Sequence, residues 1–195
     1  MDLELAGNAL CLDFANTVNE RPVPARDYLT GYPELLAWTE HAGGLPSSVL
    51  RSLRGLRGPG QADGEEVLGR ALALRDTVYA VFSAIAGGQA PPTHEVEALG
   101  TAYTDALAHA VLRADDAAGY RLDWNPVDLR LPESPLWPVA RSAGELLLNG
   151  PLERIGQCPS CGWLFLDTSR NGTRRWCNMA VCGSRDKMAR YRSRT

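Results

Sequence analysis

The sequence predicts a mainly helical α+β fold. A helical N-terminal domain carrying a small β-hairpin precedes a C-terminal finger, treble-clef-like in its order of elements, held by four cysteines. Apolar residues recur at helical spacing, between Ser, Thr or Pro starts and Gly stops, across most of residues 30–150. Four of the five cysteines fall as Cys158-x2-Cys161 and Cys177-x4-Cys182, with fifteen residues between the pairs. Two close pairs across a medium gap are the spacing of a tetrahedral four-thiolate zinc site, in which each pair occupies one tight turn. The expected division is 1–153 for the body and 154–195 for the finger.

In chain order, Leu10, Phe14 and Val18 lie at i, i+4 and i+8, which suits a buried helix, although a short strand fits the same run. Asp13 and Asn16 interrupt it, and buried polar groups need partners, so they are expected to cap or bond locally or to line a pocket. Thr30 is placed to cap a helix through Leu35, Leu36 and Trp38 that stops at Gly43-Gly44. A second helix opens at Pro46-Ser-Ser, with Val49, Leu50, Leu53 and Leu56 as its apolar stripe. Asp63 and Glu66 resemble a capping box for a long helix through Leu72, Val78, Val81 and Ile85 to Gly87-Gly88. Thr93 would cap the next, with Leu99, Tyr103, Leu107 and Val111. Tyr120–Trp124 and Asp128–Leu131 alternate apolar with polar, which predicts a hairpin around Asn125-Pro126. Ser134-Pro135 then starts a helix through Leu136, Val139, Ala140, Ala143, Leu146 and Leu147, ended by Asn149-Gly150-Pro151.

Within the finger, Cys158-Pro-Ser-Cys161-Gly162 reads as a knuckle and Trp163–Thr168 as a strand. Asn171-Gly172 is a strong hairpin signal, with Arg174–Cys177 as the returning strand, Leu166 opposite Cys177 and Asp167 opposite Trp176. Asn178 is placed to cap a last helix whose opening turn holds Cys182. Four sulfurs fill a tetrahedral zinc and leave no position for water, so one structural ion is expected on Cys158, Cys161, Cys177 and Cys182. A module of this size rarely folds on its own core, and zinc binding worth about 10–16 kcal/mol offsets the deficit. Cys11 stands apart and reads as a small core hydrophobe.

The chain of 195 residues is 45% hydrophobic and 22% charged, ordinary values for a water-soluble protein. No apolar run is long enough for a membrane span. The acidic start lacks the basic segment of a signal peptide, so a cytoplasmic location is expected, where paired cysteines more often bind metal than each other. The net charge of −3 conceals a division. Residues 154–195 hold nine Lys and Arg against two Asp, or +7, whereas the rest holds eleven basic and 21 acidic residues, or −10. A basic end on an acidic body points to a polyanionic partner for that end. At 100° per residue Lys187, Arg190 and Arg194 share one stripe of the last helix, Arg185 and Arg192 lie elsewhere on it, and Val181, Met188 and Tyr191 form a side expected to face the hairpin. Arg170, Arg174 and Arg175 surround the hairpin turn, and phosphate contact is the natural use of such a set.

Cys161-Gly-Trp-Leu-Phe-Leu-Asp-Thr-Ser-Arg-Asn171, Arg175-Trp-Cys177 and Cys182-Gly-Ser-Arg185 resemble the CGNR zinc-finger family. The body resembles that family's N-terminal ABATE domain through Leu12-Asp-Phe-Ala-Asn-Thr-Val18, Tyr28-Leu29, Leu36-Ala-Trp38 and Leu136-Trp-Pro-Val-Ala-Arg-Ser142. The resemblance implies a bacterial transcriptional regulator whose finger binds DNA and whose body senses a stress signal or small molecule. Ser184 stands where the family's name has asparagine, and a base contact of that asparagine would be lost here.

Two other readings remain open from sequence: a zinc-thiolate redox sensor and an RNA-binding protein. A catalytic body is a minor third. His41, His94 and His109 are scattered, and no HExxH, P-loop or GxSxG motif occurs, so no enzyme is expected. An effector, if bound, is expected near Asp13, Asn16, Trp38, Trp137 and Arg141, and a homodimer is compatible with the sequence.

Overall fold

The computed structural model describes residues 3–19, 26–55, 61–115 and 119–192. Seven helices are described: α1 (Leu10–Ala15), α2 (Tyr32–His41), α3 (Ser47–Gly55), α4 (Gln61–Ala86), α5 (Thr93–Ala108), α6 (Trp137–Asn149) and α7 (Ser184–Arg192). Three two-stranded antiparallel ribbons accompany them: β1 (Val18–Asn19) with β2 (Arg26–Asp27), β3 (Ala110–Asp115) with β4 (Gly119–Trp124), and β5 (Ile155–Gln157) with β6 (Leu164–Leu166). No described helix is long and apolar enough to cross a membrane.

The body is built round α1, the most completely buried helix, which packs against α4 and α6. Its Cys11, Leu12, Phe14 and Ala15 are fully buried, and Phe14 meets Trp38 of α2 at 4.9 Å between ring centroids. Val78, Val81 and Phe82 of α4, Leu99 of α5 and Trp137 of α6 close the core, each large side chain contributing about 1.5–3 kcal/mol of burial. Helices α5 and α6 approach closely because Gly144 faces Tyr103: a Cβ there would sit inside the ring's contact distance. The same core continues without a break through Ile155, Leu164, Phe165 and the four finger cysteines. The finger is therefore fused to the body rather than tethered to it.

Several local expectations are corrected. Residues Tyr120–Trp124 do form a strand, but its partner is Ala110–Asp115, in the register Leu112↔Leu122. Asp128–Arg130 is a 3-10 turn, and Val127 N–H bonds Asn125 Oδ1. Val111 thus leaves the α5 stripe for β3. Its spacing from Leu107 is helical, and one extra apolar residue cannot separate a last turn from a first strand residue. The expected caps also move. Helix α2 begins after an extended Gly31 with Pro33 in its first turn, so Thr30 does not cap it. Helix α4 starts at Gln61, which places Asp63 inside it, and α5 is preceded by Pro92, leaving Thr93 as its first residue. Ser134 opens a 3-10 turn and bonds Leu129 O before α6 begins at Trp137. The stop at Gly43 holds, with φ of 69° in the left-handed region that glycine tolerates. Leu56 and the Gly58-Pro-Gly60 stop lie outside the described residues.

The β1–β2 ribbon is pinned by Arg75 of α4, whose guanidinium, 6% exposed, grips Asp27 at 2.7 and 2.8 Å. Such bidentate pairs are the strong form of the interaction, and losing one partner would strand a buried charge.

Candidate metal centre

The finger begins with strand β5, turns through Cys158-Pro-Ser-Cys161-Gly162 and returns as β6. The knuckle is itself the hairpin turn. Cys158 N–H bonds Trp163 O at 2.8 Å, Gly162 N–H bonds Cys158 O at 2.9 Å, and Gly162 takes φ of 78°. These bonds turn the Cys158 and Cys161 side chains to one side.

The pairing expected for β6, with Arg174–Cys177, does not occur. β6 pairs with β5 instead, Ile155 opposite Leu166, and Arg174–Cys177 is irregular. The carboxylate of Asp167 accepts from Ser169 N–H at 2.8 Å and from Arg174 N–H at 2.9 Å, closing residues 167–174 into a loop. That satisfies locally the amide a returning strand would have used, which is why the Asn171-Gly172 signal produces a loop. Asn178 does cap the last helix, accepting from Ala180 and Val181 N–H at 2.7 and 3.2 Å. Cys182 sits in the π-helical turn Met179–Gly183 that precedes α7.

These elements bring together the Sγ atoms of Cys158, Cys161, Cys177 and Cys182, all within 4.8 Å of one another and all buried. Cys161 and Cys177 Sγ are 3.4 Å apart, Cys177 and Cys182 Sγ 3.6 Å, and none of the four forms a disulfide. A tetrahedron of thiolates at about 2.3 Å from zinc has edges of about 3.8 Å. The donor set therefore fits a zinc ion in both size and softness. The thiols of Cys158, Cys161 and Cys177 also act on one another. Hydrogen bonds from Cys161 and Cys177 drive the Cys158 thiol far down. The Cys158 bond then pushes Cys161 up to about 12 and Cys177 higher still. Thiolates crowded this closely repel one another, and a cation among them offsets that repulsion. Cys11 is separate: buried with its N–H on Ser142 Oγ, its thiol is pushed up to about 12 by desolvation.

The residues named as pocket candidates each have a structural partner. Asn16 exchanges two hydrogen bonds with the backbone of Leu164. Asp13 Oδ1 accepts from Gly7 N–H at 2.7 Å, and burial raises its carboxyl to about 6. Trp38 packs on Phe14, Trp137 stacks on His109 at 4.1 Å, and Arg141 reaches Glu145 and Leu122 O. The indole N–H groups of Trp38 and Trp137 are buried without a hydrogen-bond partner among the described residues. Three docking contacts had weaker sequence signals. Asn8 Nδ2 bonds Leu166 O at 2.9 Å, Leu166 N–H bonds Gly7 O, and Trp163 Nε1 bonds Val18 O at 2.8 Å. Asn8 has φ of 58°, a conformation asparagine enters more readily than most residues. The chain around residues 7–18 is thus a seat for β6.

The candidate nucleic-acid contacts divide. Arg170, Arg175, Ser184, Arg185, Lys187 and Arg192 are exposed, and the Arg175 guanidinium lies 4.9 Å over the Trp176 ring. Arg174 is turned inward: its guanidinium donates to Ala6 O, Trp176 O and Cys177 O and covers the Phe165 ring at 4.5 Å. The side chain of Arg190 and all of Arg194 lie outside the described residues. Val181, Met188 and Tyr191 do not face a hairpin but are exposed together with Met179, because α7 packs principally on the turn before it.

Residues 8–150 match the ABATE family model, described as "Putative stress-induced transcription regulator", and residues 154–195 match that of the CGNR zinc finger. No curated protein matches the sequence.

Proposed function

The chain belongs to the ABATE family and ends in a CGNR zinc finger, and from that membership we propose that it is a DNA-binding transcriptional regulator of the cytoplasm. One structural zinc ion on Cys158, Cys161, Cys177 and Cys182 holds the loop bearing Arg170 and Arg175 beside the helix bearing Arg185, Lys187 and Arg192. When bound, the zinc supplies cross-linking and charge compensation, with no open coordination position for chemistry. The observation that carries the reading is this set of exposed cations on one small module, with an acidic body behind it. Phosphates would be met by the arginines, while the exposed Met188 and Tyr191 of α7 offer apolar contacts to base edges.

The body would act as the sensing part, and it meets the finger through α4, which packs on β5 and β6, and through α1, which packs on α4, α6 and β6. A signal that displaced α1 would move β6 and the knuckle through Asn16. Burial of all four sulfurs favours a structural site over a peroxide-reactive one, since redox-sensing thiols are accessible.

The test is anisotropy binding of the zinc-loaded chain to duplex DNA, single-stranded DNA and RNA as salt is raised. Duplex binding whose log–log slope is about −0.9 per phosphate neutralised supports the proposal. Salt-independent binding, or none with zinc intact, overturns it. Preference for RNA transfers the module to the RNA-binding reading.

A further inference from the structure

The β3–β4 ribbon has two chemically different faces. Its register places Ala110, Leu112 and Ala114 of β3 on the same face as Trp124, Leu122 and Tyr120 of β4. That face contains no charged residue. The opposite face pairs Arg113 with Arg121 and sets Asp115 and Asp123 diagonally beside them. Arg113 reaches Asp123 at 3.3 Å, and Arg121 reaches Asp123 at 3.2 Å and Asp115 at 3.6 Å. The two described strands are thus electrically neutral and satisfy their own charges, which makes them a poor partner for a polyanion.

At its root the apolar face is covered: Trp124 is 9% exposed and lies 5.8 Å from Trp137. Towards the tip it is not, with Leu112 74% and Tyr120 77% exposed. Large apolar side chains aligned on one face of a projecting ribbon mark a protein interface.

The backbone shows which edge is open. Asn125 N–H bonds His109 O across the ribbon, so the pairs 110:124, 112:122 and 114:120 point their own N–H and C=O groups outward. On β4 the outward carbonyl of Leu122 is taken by Arg141. On β3 the outward groups of Leu112 and Ala114 meet no further strand among the described residues.

We propose that the β3 edge pairs antiparallel with the β3 edge of a second copy about a two-fold axis at Leu112, giving a four-stranded sheet across a homodimer. In this register Leu112 faces its own copy, Ala110 faces Ala114, and Val111 faces Arg113. No like charges are opposed, and Arg113 of the second copy extends over Val111 towards Asp123. Shifting the axis to Arg113 would set two guanidinium groups directly opposite one another, which is destabilising. The two-fold axis stands perpendicular to the sheet and keeps both apolar faces on one side. Leu122, Leu112, Leu112 and Leu122 then form a continuous row. Small Ala110 and Ala114 meet at the new seam between Trp124 and Tyr120, and the exposed tip of each copy comes to the side on which the other's body lies. Such a self-complementary patch is what a closed C2 dimer requires.

Sedimentation of the zinc-loaded full chain, without nucleic acid, tests this separately from DNA binding. The chain should sediment as a dimer at micromolar concentration. Leu112→Arg, at a position too exposed to affect folding, should raise the dissociation constant by at least about tenfold, the loss of one interface anchor. Leu112→Cys should form a disulfide-linked dimer on mild oxidation, because directly paired residues lie about 5.5 Å apart between Cα atoms. A monomer at high concentration overturns the proposal. So does a dimer that survives Leu112→Arg, or one that cross-links through Met188→Cys and not Leu112→Cys, which would move the interface to α7.

Discussion

The side-chain amide of Asn16 pairs with the backbone of Leu164 as a neighbouring strand would, donating to its carbonyl at 2.8 Å and accepting from its N–H at 2.9 Å. All four atoms are buried, and 148 residues of chain separate the partners. Strand β6 thus has β5 on one edge and Asn16, with Gly7 and Asn8, on the other. Asn16, just past the end of α1, is the most deeply buried of several polar contacts that hold the metal module on the body.

Replacing Asn16 with Ala should therefore strand a buried N–H and C=O. Each such group costs about 1–3 kcal/mol, so a loss of about 2–4 kcal/mol is expected in denaturant unfolding. Amide exchange at Leu164 should accelerate while α5 remains protected. An unchanged midpoint with unchanged exchange would show that Asn16 does not hold the finger.

The arginines of the finger should separate into two classes. Arg174→Ala removes the cover of Phe165 and three carbonyl contacts, and should lower thermal stability and zinc retention. Arg170→Ala and Arg175→Ala should leave both unchanged, weaken duplex binding and each reduce the salt slope by about 0.9. Equal thermal effects from all three would refute the division.

Zinc content should be one equivalent per chain, released by a thiol-reactive mercurial and detected with a chromogenic chelator. Because the cysteine cluster belongs to the continuous core, removal should lower the melting temperature of the whole chain and not of a separate C-terminal transition. Cys177→Ser should do the same. Two independent transitions in calorimetry would contradict the fused core.

Asp13 should titrate near 6, well above an ordinary aspartate, because burial penalises its charged form. A raised folded-state value means that the native chain binds the proton more tightly than the unfolded chain. This contribution is therefore complete below the unfolded value near 4 and is lost as pH rises through about 6. Carbon NMR of the Asp13 carboxyl reads the midpoint directly, and Asp13→Asn should flatten this part of the pH–stability curve. A midpoint near 4 would place the carboxylate in water.

Much of the helical body was legible, because buried pairs such as Leu35 and Trp38, Leu50 and Leu53, and Val78 and Val81 recur at helical spacing and the stops at Gly43 and Gly88 take positive φ. Helix starts were less so. Thr30, Asp63 and Thr93 are all competent caps, but competing starts at Gly31, Gln61 and Pro92 lay within one or two residues. Ribbon partners were least legible. Tyr120–Trp124 announces a strand by its alternation and says nothing of whether the strand before or after it will pair, since every backbone offers the same donor and acceptor.

The sequence by itself determined the metal-ligand set, the division of charge and the amphipathic helices, because each is a matter of residue type at fixed spacing. Only the tertiary structure decided that Leu164–Leu166 pairs with Ile155–Gln157, that Arg174 is spent on carbonyls while Arg170 and Arg175 stay exposed, and that Asp13 and Asn16 hold backbone groups around the finger's seat. Those outcomes depend on which unpaired backbone groups are buried once the core closes. Such groups are chosen by proximity across long stretches of chain, and local pattern carries no record of it.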